Sequence, residues 1–141
     1  MTNPANKMKT REIKFRAWDN EGGRWIEPEY VRIEGTGDIR CALTSVNERE
    51  LIIVQYTGLK DKNGKEIYEG DLFGKMGGDV ERPSEYEIHA RVYFDMDLGA
   101  FCIDDNRGGW EYLADYLLVS RNERDVIGNI FENPELLEEI K

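Results

Sequence analysis

The stretch QYTGLKDKNGKEIYEGD, from Gln55 to Asp71, decides the fold because it predicts a β-hairpin at the centre of the chain. The β-branched and aromatic content of Leu51 to Tyr56 predicts a strand, and Thr57-Gly58 is expected to end it. Asn63-Gly64 is the residue pair that favours a two-residue hairpin turn, after which the chain returns. The centre of the sequence therefore predicts antiparallel β-structure.

A second hairpin is predicted further along the chain. Tyr86 to Phe94 has the longest alternation of apolar and polar residues, which is typical of a strand with one face in the core. Asp95 to Gly99 has the composition of a turn, and Ala100 to Ile103 is expected to return beside the first strand.

The N-terminal part predicts a third hairpin. Residues 1–10 show no periodicity and are expected to form a flexible tail. In Ile13 to Trp18 the residues alternate, with Ile13, Phe15 and Ala17 expected to face inward. Asp19 to Gly23 predicts a turn and Arg24 to Ile26 a returning strand. Glu34 to Asn47 has no clear period, and the sequence leaves a loop or short strands open there.

The C-terminal part is less regular. Gly74 to Ser84 has the composition of an exposed loop. Trp110 to Val119 fits neither period, and we expect a short helical turn followed by a strand. Val126 to Ile130 predicts a last strand, and Asn133-Pro134-Glu135 has the cap, proline and early acid that begin a helix. The residues expected to dock this helix are Leu136, Leu137 and Ile140.

Together these elements predict a mainly β fold of short strands and hairpins that form a small barrel or packed sheets, with a short C-terminal helix. A length of 141 residues suits one domain, which we place at residues 11–141.

The composition narrows the classes of protein. The formal net charge of −10 disfavours direct nucleic-acid binding, because phosphates repel an acidic surface. No run is long and apolar enough for a membrane helix and no secretory signal is recognisable, so we expect a cytoplasmic protein that does not bind membranes. Cys41 and Cys102 lack a metal-binding spacing and are expected to be reduced thiols. With His89 they are too few for zinc, and we predict no cofactor.

Three sets of residues carry possible chemistry. The acids from Asp95 to Asp105 can gather a divalent cation if they meet across the second hairpin, although acids at hairpin ends are usually solvated. Lys14, Arg16 and Trp18 share a strand face and combine basic with aromatic side chains, as nucleic-acid surfaces do. The surrounding acidity favours the other interpretation, an ordinary outer strand face with Trp18 packed under a neighbouring loop. His89 lies on the polar face of its strand, without a nucleophile nearby in sequence. Hydrolase and phosphate-loop motifs do not occur.

Three segments together resemble the YopX family, small proteins encoded by phages and prophages of bacteria. The segments are KFRAWD from Lys14 to Asp19, the central stretch from Gln55 to Asp71, and VIGNIFENPELL from Val126 to Leu137. The resemblance implies a mainly β fold and expression in a bacterial host. It implies no catalytic residue.

The sequence therefore predicts a non-enzymatic phage accessory protein that binds an unknown protein of the host or phage, with a homo-oligomer as one form of that binding. The reasons for this prediction are the absence of catalytic signatures and an apolar-rich β fold with candidates for exposed aromatic residues, such as Trp18, Tyr56 and Trp110. The alternatives are a nucleic-acid-binding module and a divalent-metal-dependent enzyme of nucleic-acid metabolism. The candidate binding surface consists of Lys14, Arg16, Trp18, Gln55, Tyr56, Lys60 and Asp71.

Overall fold

The computed structural model describes residues 3–76, 86–105, 108–120 and 125–138. The fold is mainly β, as predicted. The strands are β1 Phe15–Asp19, β2 Arg24–Ile26, β3 Val31–Ile33, β4 Ile39–Cys41, β5 Leu51–Lys60, β6 Glu66–Tyr68, β7 Asp71–Met76, β8 Tyr86–Asp95, β9 Ala100–Asp105, β10 Trp110–Tyr112 and β11 Asp125–Asn129. The α-helices are α1 Leu113–Ser120 and α2 Pro134–Glu138.

The first sheet has four antiparallel strands in the order β2-β1-β5-β6. The predicted N-terminal hairpin is confirmed, since β1 pairs with β2 and places Trp18 opposite Trp25. One face of this sheet packs Ala17 against Ile26 and Leu51, under the small β3–β4 hairpin. This hairpin occupies the segment for which the sequence left a loop or short strands open.

The second sheet has five antiparallel strands in the order β10-β9-β8-β7-β11. The β8–β9 hairpin, the last strand and the helix that begins at Pro134 are confirmed. The largest buried cluster lies between this sheet and α1, where Phe73, Val92 and Ile103 meet Leu113 and Tyr116.

The face of β1 that turns inward differs from the prediction. Ile13 and Phe15 are exposed, and of the three residues expected inside only Ala17 is buried. Trp18, on the opposite face, is buried as well. A strand that lies between two packed layers can bury residues of either face, and alternation alone does not say where a covering layer ends.

The central hairpin exists, but its details differ from the prediction. Thr57-Gly58 does not end the strand, because the Thr57 hydroxyl donates to the Ile67 carbonyl at 2.8 Å and accepts from the Leu59 N–H at 3.2 Å. These bonds carry β5 through a bulge at Gly58, where φ is +84°. The turn is also longer by one residue, since the Asp61 N–H donates to the Lys65 carbonyl at 2.9 Å.

Two further expectations differ in part from the structure. The helical turn followed by a strand between Trp110 and Val119 is wrong in order, because β10 comes first and α1 follows it. The predicted loop from Gly74 to Ser84 lies mostly outside the described residues, but Gly74 and Met76 belong to β7. Within the described part of the chain, neither helix has the length and apolar character needed to cross a bilayer.

Candidate functional site

An arginine stacked between two aromatic rings lies where the first sheet meets β7. The Arg16 guanidinium carbon is 4.3 Å from the centroid of the Trp25 ring and 4.0 Å from that of the Tyr68 ring. Cation–π contacts of this kind strengthen when the ring faces are shielded from water. We call Arg16, Trp25, Tyr68 and Asp71 the arginine cluster.

The register of the N-terminal hairpin builds one side of this cluster. Trp18 and Trp25 are directly opposite across β1 and β2, and their ring centroids are 5.0 Å apart in an edge-to-face arrangement. Phe131, from the loop after β11, closes the group with centroids 5.9 Å from Trp18 and 5.6 Å from Trp25. The indole N–H of Trp25 donates to the Glu132 carboxylate. The aromatic residues therefore join the first sheet to the C-terminal part of the chain.

Asp71 is the buried carboxylate of the cluster. Its Oδ2 accepts from the Tyr68 N–H at 2.8 Å, and its Oδ1 is 3.5 Å from a terminal nitrogen of Arg16. Burial raises the pKa of the Asp71 carboxyl to about 6, against the opposing effects of the Tyr68 N–H and of the Arg16 charge. Asp71 is thus a carboxyl group that titrates unusually close to neutral pH.

Lys14 borders the cluster but is held by acids. Its Nζ pairs with Glu12 at 3.0 Å and with Glu66, and it lies 5.3 Å from the centroid of the Tyr56 ring. Hydrogen bonds to Glu66 and Glu12 raise the pKa of Lys14. Two carboxylates beside one ammonium leave little positive charge to attract a phosphate.

Five of the seven residues predicted as a binding surface meet here. Lys14, Arg16, Tyr56 and Asp71 lie in or beside the arginine cluster, and Trp18 packs behind Trp25. Gln55 and Lys60 do not join them. Gln55 lies opposite Phe15, with its N–H bound to Glu69 Oε1 at 2.8 Å, and Lys60 lies at the far end of β5.

Trp18 and Tyr56, two of the candidates for exposed aromatic residues, are buried, and the alternative in which Trp18 packs under a loop is confirmed. Trp18 lies beneath Trp25 and Phe131, and Tyr56 lies against Tyr68 with 5.5 Å between centroids. Of the three aromatic residues expected at the surface, Trp110 is exposed. The face shared by Lys14, Arg16 and Trp18 therefore offers no open aromatic ring for base stacking.

Sequence reasoning missed three members of this region: Trp25, Tyr68 and Phe131. A signal for Trp25 existed, because the predicted turn pairs Asp19 with Arg24 and therefore Trp18 with Trp25. Tyr68 and Phe131 come from distant segments with no local signal for contact, although both lie inside the segments that resemble the YopX family.

The acids proposed as a metal site do not converge. Asp95 pairs with Ala100 at the end of the β8–β9 hairpin, whereas Asp104 lies opposite Arg91, which is four residues along the strand or roughly 13 Å away. Asp95 accepts from the Asp97 and Leu98 N–H groups, and Asp104 binds Arg91 at 2.6 Å. Among the described residues, no group of three or more His, Cys, Asp or Glu side chains is placed to hold a metal ion.

A second feature is an exposed apolar surface on β10 and α1. Trp110 and Tyr112 are 53% and 42% exposed and their rings are in contact, with centroids 5.6 Å apart. Leu113 and Tyr116 turn one side of α1 into the core, which leaves Leu118 and Val119 70% and 86% exposed. We call Trp110, Tyr112, Leu118 and Val119 the β10–α1 surface. Exposed apolar side chains that lie in contact, as Trp110 and Tyr112 do, are typical of an interaction site.

The chain is a small, mainly β protein in which two antiparallel sheets are joined through stacked aromatic and arginine side chains. The family model described as YopX protein matches residues 14–138. The chain belongs to the YopX family.

Comparison with solved structures finds a protein of similar fold. The chain is similar to protein EF1440 from Enterococcus faecalis, with 28% identity and a TM-score of 0.55. The match covers 91% of this chain and 99% of the other. No curated protein matches the sequence significantly.

Proposed function

We propose that this protein is a phage- or prophage-encoded accessory protein that acts inside the bacterial host by binding another protein, and that the β10–α1 surface makes the contact. The observation that carries the proposal is the exposure of four large apolar side chains within one strand and the helix that follows it. Burying such side chains against a partner is the main favourable contribution to protein association.

The arginine cluster favours a structural role over a catalytic one. Arg16 stacks between two aromatic rings and lies beside a carboxylate, and Lys14 forms ion pairs with two acids. Asp71 has a raised pKa, but its neighbours Arg16 and Tyr68 supply no nucleophile paired with a base. The cluster therefore connects the first sheet to β7 of the second sheet.

The nucleic-acid alternative has less support. The net charge is −10, and the basic residues proposed for phosphate contacts are paired with acids. The exposed aromatic pair Trp110 and Tyr112 has Glu111 between its members and Asp104 opposite Trp110. Asp104 is paired with Arg91, so Glu111 is the carboxylate at this strand that repels a phosphate backbone.

Affinity capture from a bacterial host tests the proposal. The tagged protein is compared with a Trp110→Ala, Val119→Ser variant, in lysates with and without nuclease. We expect a specific protein that survives nuclease and is lost with the variant. Met96→Ser is the matched control, because Met96, in the β8–β9 turn, is an apolar residue that is about as exposed as Val119, at 88%.

Two outcomes contradict the proposal. Recovery that nuclease abolishes assigns the protein to nucleic-acid binding. Recovery that is the same for the double variant and the wild type removes the β10–α1 surface from the interaction. Light scattering of the purified protein over a range of concentrations reports whether a second copy of the chain is itself a partner.

A further inference from the structure

An open groove of about 670 Å³ lies between α1 and the turn after β5. Its apolar lining comes from Leu59 on β5 and from Ala114, Leu117 and Leu118 on α1. Leu59 and Leu117 pack on the main core, which fixes the floor of the groove, whereas Leu118 stands on its rim. The volume is within the range of pockets that accommodate several apolar groups.

The opposite rim of the groove is basic. It is formed by Lys60, Asp61 and Lys62, but Asp61 turns inward and is buried. Its Oδ1 accepts from the N–H groups of Asn63 and Lys65, each at 2.9 Å, and its Oδ2 lies 3.4 Å from the Val126 N–H. The Asp61 carboxylate is therefore engaged by backbone donors and is not presented to a ligand.

The two lysines differ in how far they are neutralised. Lys62 is 3.4 Å from Asp125. Lys60 is exposed, and Glu66, its partner across the strands, is bound by Lys14. In the part of the chain that the structure describes, no acid lies within 4 Å of the Lys60 ammonium. The groove thus combines an aliphatic floor with a free positive charge, on a protein whose net charge is −10.

We propose that this groove binds a segment of a partner protein that carries large apolar side chains next to Asp or Glu. Apolar groups fill the floor between Leu59, Leu117 and Leu118, and a carboxylate reaches Lys60. Charge complementarity of this kind selects among partners, because an acidic segment is repelled elsewhere on an acidic protein and attracted at this rim. The lining contains no aromatic ring, so a stacked nucleic-acid base is a poorer fit than a peptide.

This inference rests on the proposed function, with which it shares Leu118, and it names the chemistry of the bound segment. A random peptide library displayed on phage is selected on the immobilised full-length protein and counter-selected on a Leu118→Asp variant. We expect enrichment of peptides that combine leucine, isoleucine or phenylalanine with Asp or Glu. A synthetic, fluorescently labelled copy of the most enriched peptide is then titrated by fluorescence anisotropy.

Three variants decide the result. Leu118→Ser and Lys60→Glu are each expected to weaken binding by about tenfold or more. Lys60→Glu is also expected to reduce the dependence of binding on salt, since it removes the charge that pairs with the peptide. Val119→Ser separates the groove from the rest of the β10–α1 surface, because Val119 lies on the same helix but does not line the groove. Met96→Ser is the control, because Met96 is an exposed apolar residue in the β8–β9 turn, outside both the groove and the β10–α1 surface.

Several outcomes overturn the groove as the site. Enriched peptides that are basic or lack acids contradict the proposed chemistry, and the absence of enrichment over the counter-selection contradicts the site itself. Equal losses with Val119→Ser and Leu118→Ser place binding on the exposed helix face, in which case the proposed function stands and the groove does not. Concentration-dependent self-association that Leu118→Ser abolishes assigns the groove to a second copy of the chain.

Discussion

The arginine cluster and the β10–α1 surface use the same kinds of residue in opposite ways. In the cluster, Trp25 is covered by Trp18, Phe131 and the Arg16 guanidinium, and polar groups pair with one another. On the β10–α1 surface, Trp110 touches Tyr112 and remains more than half exposed. The segments that resemble the YopX family supply Arg16, Tyr68 and Asp71, but not residues 110–119. Trp25 lies outside these segments as well, and the family model spans both the arginine cluster and the β10–α1 surface.

The largest difference is expected between the two tryptophans. Trp25 is half-buried, and Trp25→Ala, which removes contacts with two rings and an arginine, should lower the free energy of unfolding by about 2 to 3 kcal/mol. Trp110→Ala should change it by no more than about 0.5 kcal/mol, because the side chain is largely exposed. Urea unfolding followed by circular dichroism measures both. Equal losses of unfolding free energy in the two variants would contradict the assignment of Trp25 to the structure and of Trp110 to an exposed surface.

The buried carboxyl group of the cluster predicts an unusual pH dependence. The pKa of Asp71 is raised by burial to about 6 in the folded state, from 3.8. The folded state therefore binds more protons between these values, so the contribution of Asp71 to stability is greatest below about pH 4 and is lost as pH rises through about 6.

An Asp71→Asn variant isolates this effect. The amide oxygen can still accept from the Tyr68 N–H, but the group no longer titrates. Between about pH 4 and pH 7, the variant should avoid a loss of stability of up to about 3 kcal/mol that the wild type incurs from this residue. Urea unfolding of both proteins at the two pH values measures it. The same pH dependence in both would show that Asp71 titrates normally.

Substitution of two glycines distinguishes the cost of backbone strain from the cost of a contact with Phe131. Gly70 and Gly64 both have left-handed backbones, with φ of +86° and +81°. A Cβ at Gly70 would come within 2.9 Å of the Phe131 ring, whereas at Gly64 it would meet nothing within 4 Å. Gly70→Ala should therefore cost about 1 to 2 kcal/mol more than Gly64→Ala. Thermal unfolding of the two variants tests this. Equal losses of stability would indicate that the Phe131 ring moves aside without a measurable cost.

The smallest effect on stability is expected from the exposed residues of α1. Leu118→Ser and Val119→Ser replace apolar side chains that are mostly in solvent, and each should change the free energy of unfolding by less than about 0.5 kcal/mol. Urea unfolding checks this. A loss of several kcal/mol from either variant would mean that α1 is held by its outer face, and the β10–α1 surface would then be structural.

Turn residues and alternation were sufficient to predict most of the strands, but they did not predict the contacts of the site. The turn residues and alternation predicted the hairpins at Asp19–Gly23, Asn63-Gly64 and Asp95–Gly99. They failed at Thr57-Gly58, where the Thr57 hydroxyl replaces ladder hydrogen bonds and the strand continues. The order of β10 and α1 was also wrong, because three exposed residues that pair with β9 have no amphipathic pattern of their own.

By itself the sequence determined the mainly β class, three hairpins, the helix at Pro134 and, through its three segments, the resemblance to the YopX family. Only the tertiary structure decided that Trp18 and Tyr56 are buried, that Asp71 titrates near neutral pH and that Leu118 is exposed. The physical reason is that turns and alternation depend on neighbouring residues, whereas burial and pKa depend on contacts between distant ones. Trp25 and Glu132, which are 107 residues apart, form a hydrogen bond that no local pattern predicts.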